Sequence, residues 1–107
     1  MLTVYYVALD LLSALVPIIS QIQRHDPDLA RQLRKASSSV PLHIAEGSFA
    51  RGGNRPAKYQ IAVGEARESL ACCHVAERCG YVPALEEKVA AMFREVIGTL
   101  VVNVRRG

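Results

Sequence analysis

The sequence has 107 residues, half of them hydrophobic, with no tryptophan and with 13 basic and 10 acidic residues. This length fits one domain, residues 1–107, with one ordinary core, and it excludes the layered sheets of a large enzyme. The net charge of +3 does not by itself indicate nucleic-acid binding.

The first predicted helix runs from about residue 2 to residue 24. Its apolar run is about as long as a membrane span. However, Asp10 and Pro17 interrupt it and no positive residues precede it, so we expect a helix of a soluble protein and no membrane. Two apolar stripes follow the helix. The first is Val4, Tyr5, Leu9, Leu12, Val16, Ile19 and Gln23, and the second is Leu11, Leu15, Ile18 and Ile22.

The second predicted helix covers residues 27–49. Asp26 is the expected N-cap, with Pro27 in the first turn. Three serines (residues 37–39) and Pro41 disfavour a helix, so tertiary packing must hold this one. Its apolar face is Leu29, Leu33, Ala36, Val40, Ile44 and Gly47. Glu46 is expected on that apolar side, where it would need a buried partner.

The third predicted helix covers residues 55–79 and ends at Gly80, a favourable C-terminal stop. Its seam, Tyr59, Val63, Ala66, Leu70, Cys73 and Glu77, has the 4-3-4 spacing of a left-handed bundle. The fourth helix is predicted over residues 83–104. It carries two stripes: Leu85, Val89, Met92, Val96, Leu100 and Asn103, then Phe93, Ile97, Val101 and Val104.

Four helices with short connections predict an all-α fold, an antiparallel up-down four-helix bundle. The first and fourth helices have two apolar stripes each, more than a monomer buries, so they are the expected homo-oligomer interface. Cys72, Cys73 and Cys79 lack both disulfide and zinc-site spacing. They indicate a reduced, cytoplasmic protein, and we expect all three to be buried.

Basic residues concentrate in residues 24–58. The candidate nucleic-acid-binding residues are Arg31, Arg34, Lys35, Arg51, Arg55 and Lys58. Their role would be sequence-independent contact with phosphates. The alternative is a solvated face that is balanced by acidic residues of the third helix. No aromatic residues interleave the basic ones, so base stacking is not indicated.

Catalytic and metal sites are weakly indicated. Arg67 and His74 are two turns apart and match the loose Arg-x6-His spacing of the ribonuclease motif in the HEPN superfamily. Their flanking residues do not match, and Glu68 would offset the charge of Arg67. His43 and Glu46 show the metal-binding Glu-x-x-His order reversed and only once. We therefore expect a protein that is not an enzyme and has no metal or other cofactor.

The stretch from Gln32 to Gly47, QLRKASSSVPLHIAEG, resembles the pattern Q-L-R-R-A-x-x-S-[IV]-P-x-N-I-A-E-G. A second block, Gly64, Glu68, Ala76, Gly80 and Tyr81, is similar to G-S-x-x-E followed by A-x-x-x-G-Y. Both patterns are those of a bacterial four-helix-bundle family encoded in intervening sequences of 23S ribosomal RNA genes, and the chain resembles that family. That family is related to the accessory variability determinant of diversity-generating retroelements. His43 replaces the usual Asn, and Glu65 the usual Ser.

The resemblance implies a bundle that assembles into a ring, typically a homopentamer, with a positively charged surface. In the retroelement branch such a ring resembles an accessory that binds nucleic acid and reverse transcriptase. A scaffold for another protein is the alternative function, and a ribonuclease using Arg67 and His74 is the third.

Overall fold

The computed structural model describes residues 3–50 and 54–106, and every regular element in these ranges is an α-helix. The helices are α1 (Thr3–Gln23), α2 (Pro27–Phe49), α3 (Asn54–Arg78) and α4 (Glu87–Arg106). α2 packs on α1 and α3, and α4 packs on the same two helices, so each helix has two neighbours around a shared core. The predicted all-α class is confirmed, and the packing is consistent with a four-helix bundle.

Local capping chemistry sets the ends of α2 and α3. The backbone N–H of Leu29 donates to Asp26 Oδ1 at 3.0 Å, so Asp26 is the N-cap that the sequence predicts. α3 is followed by Gly80, whose φ of 78° lies in the left-handed region. The N–H groups of Gly80 and Tyr81 donate to the carbonyls of Glu77 and Ala76, which satisfies the last turn of α3.

The start of α4 was predicted wrongly. The helix begins at Glu87 and not at residue 83. Val82 is buried and Leu85 packs against the core, so side-chain burial holds the connection in a non-helical path. The carbonyl of Glu86 accepts the N–H groups of Val89 and Ala90, which marks the first turn.

Small and aliphatic side chains fill the core. In α1 the buried stripe combines members of both predicted stripes with one further alanine: Val4, Ala8, Leu11, Leu15, Ile19 and Ile22. In α3 the predicted seam positions Leu70 and Glu77 are only half-buried. The buried positions of α3 include Ala62, Ser69, Cys72 and Ala76, which allow the neighbouring helices to approach closely.

Both internal prolines lie within continuous helices. α1 extends through Pro17, and α2 extends through Pro41, which is itself buried. The three serines that precede Pro41 all donate to carbonyls of their own helix: Ser37 to Arg34, and Ser38 and Ser39 to Lys35. Their hydroxyl groups are therefore satisfied within α2, and they do not compete with it.

Among the described helices, α1 is the one whose length and apolar composition would suffice to cross a membrane. A helix in the centre of a soluble bundle meets the same criteria. Six α1 side chains are buried against the rest of the bundle, so burial in the core accounts for only part of its apolar character.

Apolar side chains remain exposed on all four helices. The sequence predicted unburied apolar side chains only for α1 and α4. α1 exposes Tyr6 and Val16, and α4 exposes Val102. The most exposed large apolar residues lie on α2, however: Leu42 is 62% exposed and Phe49 is 78% exposed. α3 adds Ile61 and Val75.

Candidate nucleic-acid interface

Three of the predicted basic residues lie close together on the outer side of α2. Arg31, Arg34 and Lys35 are all exposed, because the core face of the helix points the other way. The guanidinium group of Arg31 forms an ion pair with Asp28 one turn earlier. In the described part of the chain, Arg34 and Lys35 have no carboxylate within ion-pair distance.

A polar groove of about 530 Å³ separates this side of α2 from α3. Arg31 and Lys35 line it together with three acidic residues, Asp28, Glu65 and Glu68. The amide of Gln32 donates to Glu68 across the groove at 3.5 Å. Acidic residues of α3 thus balance part of the basic face, as the alternative interpretation predicts, and the groove itself does not favour phosphate.

The basic residues near the second connection stabilise the end of α2. The guanidinium group of Arg55 donates to the carbonyls of Gly47, Ser48 and Ala50 at 3.3, 3.4 and 3.5 Å. The carbonyl of Gly47 also accepts the N–H of Ala50. These carbonyls lie at the negative end of the helix dipole, so a cation there is favourable. Arg51, also predicted for the site, lies outside the described residues.

Lys58 pairs with Glu46 at 2.9 Å between Nζ and Oε2. Glu46 was expected on the buried side of α2, which is wrong: its side chain is 54% exposed. The hydrogen bond and the charge of Lys58 lower the pKa of Glu46 below its ordinary value. Lys58, like Arg55, therefore has an intramolecular role already.

The two positions that depart from the family pattern contact each other. His43 Nδ1 lies 2.7 Å from Glu65 Oε1, and both side chains are about three-quarters buried between α2 and α3. The two residues that differ from the family pattern thus form one polar contact between α2 and α3. Sequence inspection missed the pair, because the two residues are 22 positions apart and on different helices.

The structure does not bring Arg67 and His74 to one cavity. Both are exposed on α3. Arg67 lines a groove with Arg105 of α4, a residue that sequence inspection did not single out. His74 lines a different, mostly apolar cavity of about 570 Å³ with Phe93.

The cysteines are only partly as predicted. Cys72 and Cys73 are buried, and burial raises the pKa of the Cys73 thiol to about 12. Cys79 is exposed, because it follows the last turn of α3, so its predicted burial is wrong. Among the residues that the structure describes, no three His, Cys, Asp or Glu side chains cluster in a way that could hold a metal ion.

Comparison with known families gives one match. The family of 23S rRNA-intervening sequence proteins matches residues 1–101, a range that begins before α1 and extends well into α4. Comparison with characterised proteins and with solved structures finds no match. The match covers nearly the whole chain and includes both motif blocks.

Proposed function

The chain belongs to the 23S rRNA-intervening sequence protein family, and we propose that it is a non-enzymatic, cytoplasmic homo-oligomer that binds structured RNA or DNA. Binding would use contacts to phosphates and would be largely independent of base sequence. Family membership supports the fold more strongly than it supports this activity.

The proposed assembly is a ring of five antiparallel up-down bundles. Connections as short as residues 24–26, between α1 and α2, favour antiparallel neighbours. The exposed side chains of Tyr6 and Val16 on α1 and of Val102 on α4 support an interface through these helices. Sedimentation equilibrium would give the number of subunits, and a monomer at all concentrations would refute the ring.

The observation that carries the nucleic-acid proposal is the exposure of Arg31, Arg34 and Lys35 on one side of α2. Their one ion pair, with Asp28, is open to solvent, and exposed pairs of this kind contribute little stability. A phosphate could therefore replace Asp28 as the partner of Arg31 at small cost. Arg34 and Lys35 form no ion pair among the described residues, so they would lose none on binding a phosphate.

The test is a titration of labelled structured RNA across a salt series, with wild type and an Arg34→Gln/Lys35→Gln double variant. Each lost phosphate contact should lower the slope of log affinity against log salt by about one. The matched control is Arg78→Gln/Lys88→Gln, which removes the same charge from exposed positions far along the chain from α2. Equal slopes for all three proteins would refute the assignment of the site.

The second candidate function is a scaffold for another protein, and the exposure of Leu42 and Phe49 favours it. The two residues are seven positions apart and therefore share one face of α2. On this hypothesis the protein has no salt-dependent affinity for RNA. A Leu42→Ser/Phe49→Ser variant would then lose a protein partner that the wild type captures.

The relation to retroelement accessory proteins stays a prediction. The genes that neighbour this one would test it, since a reverse transcriptase gene or a ribosomal RNA gene would distinguish the two branches. The third hypothesis, a ribonuclease, is disfavoured because Arg67 and His74 line different cavities. RNA cleavage that a His74→Ala substitution abolishes would revive it.

A further inference from the structure

A groove between α3 and α4 combines positive charge with an apolar wall, and it is separate from the basic side of α2. It measures about 270 Å³. We call it the Arg67–Arg105 groove; its lining residues are Gln60, Val63, Arg67, Val101, Val104 and Arg105.

The two arginines of this groove are not paired with acidic side chains: Glu68, which follows Arg67 in sequence, accepts a hydrogen bond from Gln32 of α2 instead. No carboxylate of the described residues lines the groove. The residues one turn away from Arg67 on α3 are Val63, Gly64, Leu70 and Ala71, and those one turn before Arg105 are Val101 and Val102. Among the described residues, neither guanidinium group forms an ion pair. A bound anion would therefore satisfy both without displacing an existing partner.

The three valines restrict what kind of anion fits. Val63 is buried, and Val101 and Val104 are half-buried against the core, so they form a fixed apolar surface beside the charges. The sugar–phosphate backbone of a nucleic acid offers only its sugar C–H groups to this surface and has no aliphatic side chain to cover the valines. A peptide with a carboxylate next to an aliphatic side chain has both, and guanidinium groups bind carboxylates in a bidentate geometry.

We propose that the Arg67–Arg105 groove binds an acidic, aliphatic peptide segment of a partner protein. The carboxylates of the segment pair with Arg67 and Arg105, and its aliphatic side chains cover the valines. This site does not depend on the proposed binding of RNA. The RNA titration tests Arg34 and Lys35, whereas a peptide titration tests this groove, so the two proposals fail separately.

The test is fluorescence anisotropy with the full chain and a labelled synthetic peptide of alternating Glu and Leu. A peptide with Lys in place of Glu is the negative probe. Arg67→Gln and Arg105→Gln should each weaken binding of the acidic peptide about tenfold, which corresponds to about 1.4 kcal/mol. Arg106→Gln is the matched control: it removes the same charge next to Arg105, but Arg106 does not line the groove.

A Val104→Thr variant separates the apolar wall from the charge. It keeps the size and the net charge of the groove but puts a hydroxyl group on the apolar wall, so it should weaken peptide binding while the affinity for RNA stays unchanged. Four results would overturn the proposal. These are no binding of the acidic peptide by wild type, equal loss with Arg106→Gln, loss of RNA affinity in place of peptide affinity, or a change of subunit number in the Arg67→Gln protein.

Discussion

A Gly47→Ala substitution tests the packing of α2 on α3 where Gly47 lies against the ring of Tyr59. A Cβ atom at position 47 would lie 2.5 Å and 2.7 Å from two ring atoms of Tyr59, and 3.2 Å from the Cβ of Lys58. Carbon atoms normally approach no closer than about 3.5 Å. The added methyl group therefore overlaps the ring by about 1 Å, and either the ring or the helix must move.

The ring of Tyr59 cannot move freely. It is 3% exposed, and its hydroxyl group lies 3.3 Å from Ser48 Oγ, within hydrogen-bond distance. Overpacking of this kind costs about 1–3 kcal/mol, and two overlapping ring atoms place Gly47→Ala in the upper half of that range. Alanine also gains about 1 kcal/mol over glycine from helix propensity. The net expectation is a loss of about 1–2 kcal/mol in the free energy of unfolding.

Gly64→Ala in α3 provides the matched control, because a Cβ at that position meets nothing within 4 Å. It should stabilise the protein by up to about 1 kcal/mol. Urea denaturation followed by circular dichroism, at one fixed protomer concentration, measures both free energies of unfolding. If Gly47→Ala is as stable as Gly64→Ala, the overlap with Tyr59 costs nothing and the expected steric effect is absent.

Three further predictions concern capping, protonation and thiol reactivity. Asp26→Ala should cost about 1 kcal/mol in urea denaturation, because the N–H of Leu29 loses its acceptor; no loss would exclude a capping role. The pKa of Glu46 is lowered when the chain folds, so its pairing with Lys58 stabilises the protein above the unfolded-state pKa of the carboxyl group. That contribution is lost as the pH falls through the folded-state pKa. An NMR titration should show this pKa rising in Lys58→Met, and an unchanged value would contradict the pairing. In mass spectrometry after alkylation of the native protein, Cys79 should be labelled before Cys73, whose burial raises its pKa to about 12. Equal labelling would mean that the core opens readily.

Features set by local chemistry could be predicted from the sequence. The start of α2 follows from Asp26 and Pro27, and the end of α3 follows from Gly80, so each signal lies within a turn of the structure it sets. The start of α4 could not be predicted in this way. It depends on the burial of Val82 and Leu85 in a core that the sequence does not locate.

The residues of the candidate site also fall into those whose position follows from local sequence and those whose position depends on contacts between helices. Exposure of Arg31, Arg34 and Lys35 follows from helical spacing and was predictable. The partners of Arg55 and Lys58 lie on another helix, and periodicity along one helix does not reveal them. The contact between His43 and Glu65 escaped notice for this reason, as did the groove that joins Arg67 to Arg105.

If the chain binds RNA as proposed, its affinity should depend on assembly, because only some of the predicted basic residues are available. Arg55 and Lys58 are engaged at the end of α2, so Arg31, Arg34 and Lys35 are the described members of the predicted set that remain available in one protomer. Because electrostatic affinity grows with the number of phosphates contacted, so few contacts per protomer give weak binding at physiological salt. A ring repeats the three residues in every subunit, and linked sites bind far more tightly than isolated ones. The salt slope should therefore scale with the number of subunits, and a monomeric variant that retained the full slope would place the RNA site elsewhere.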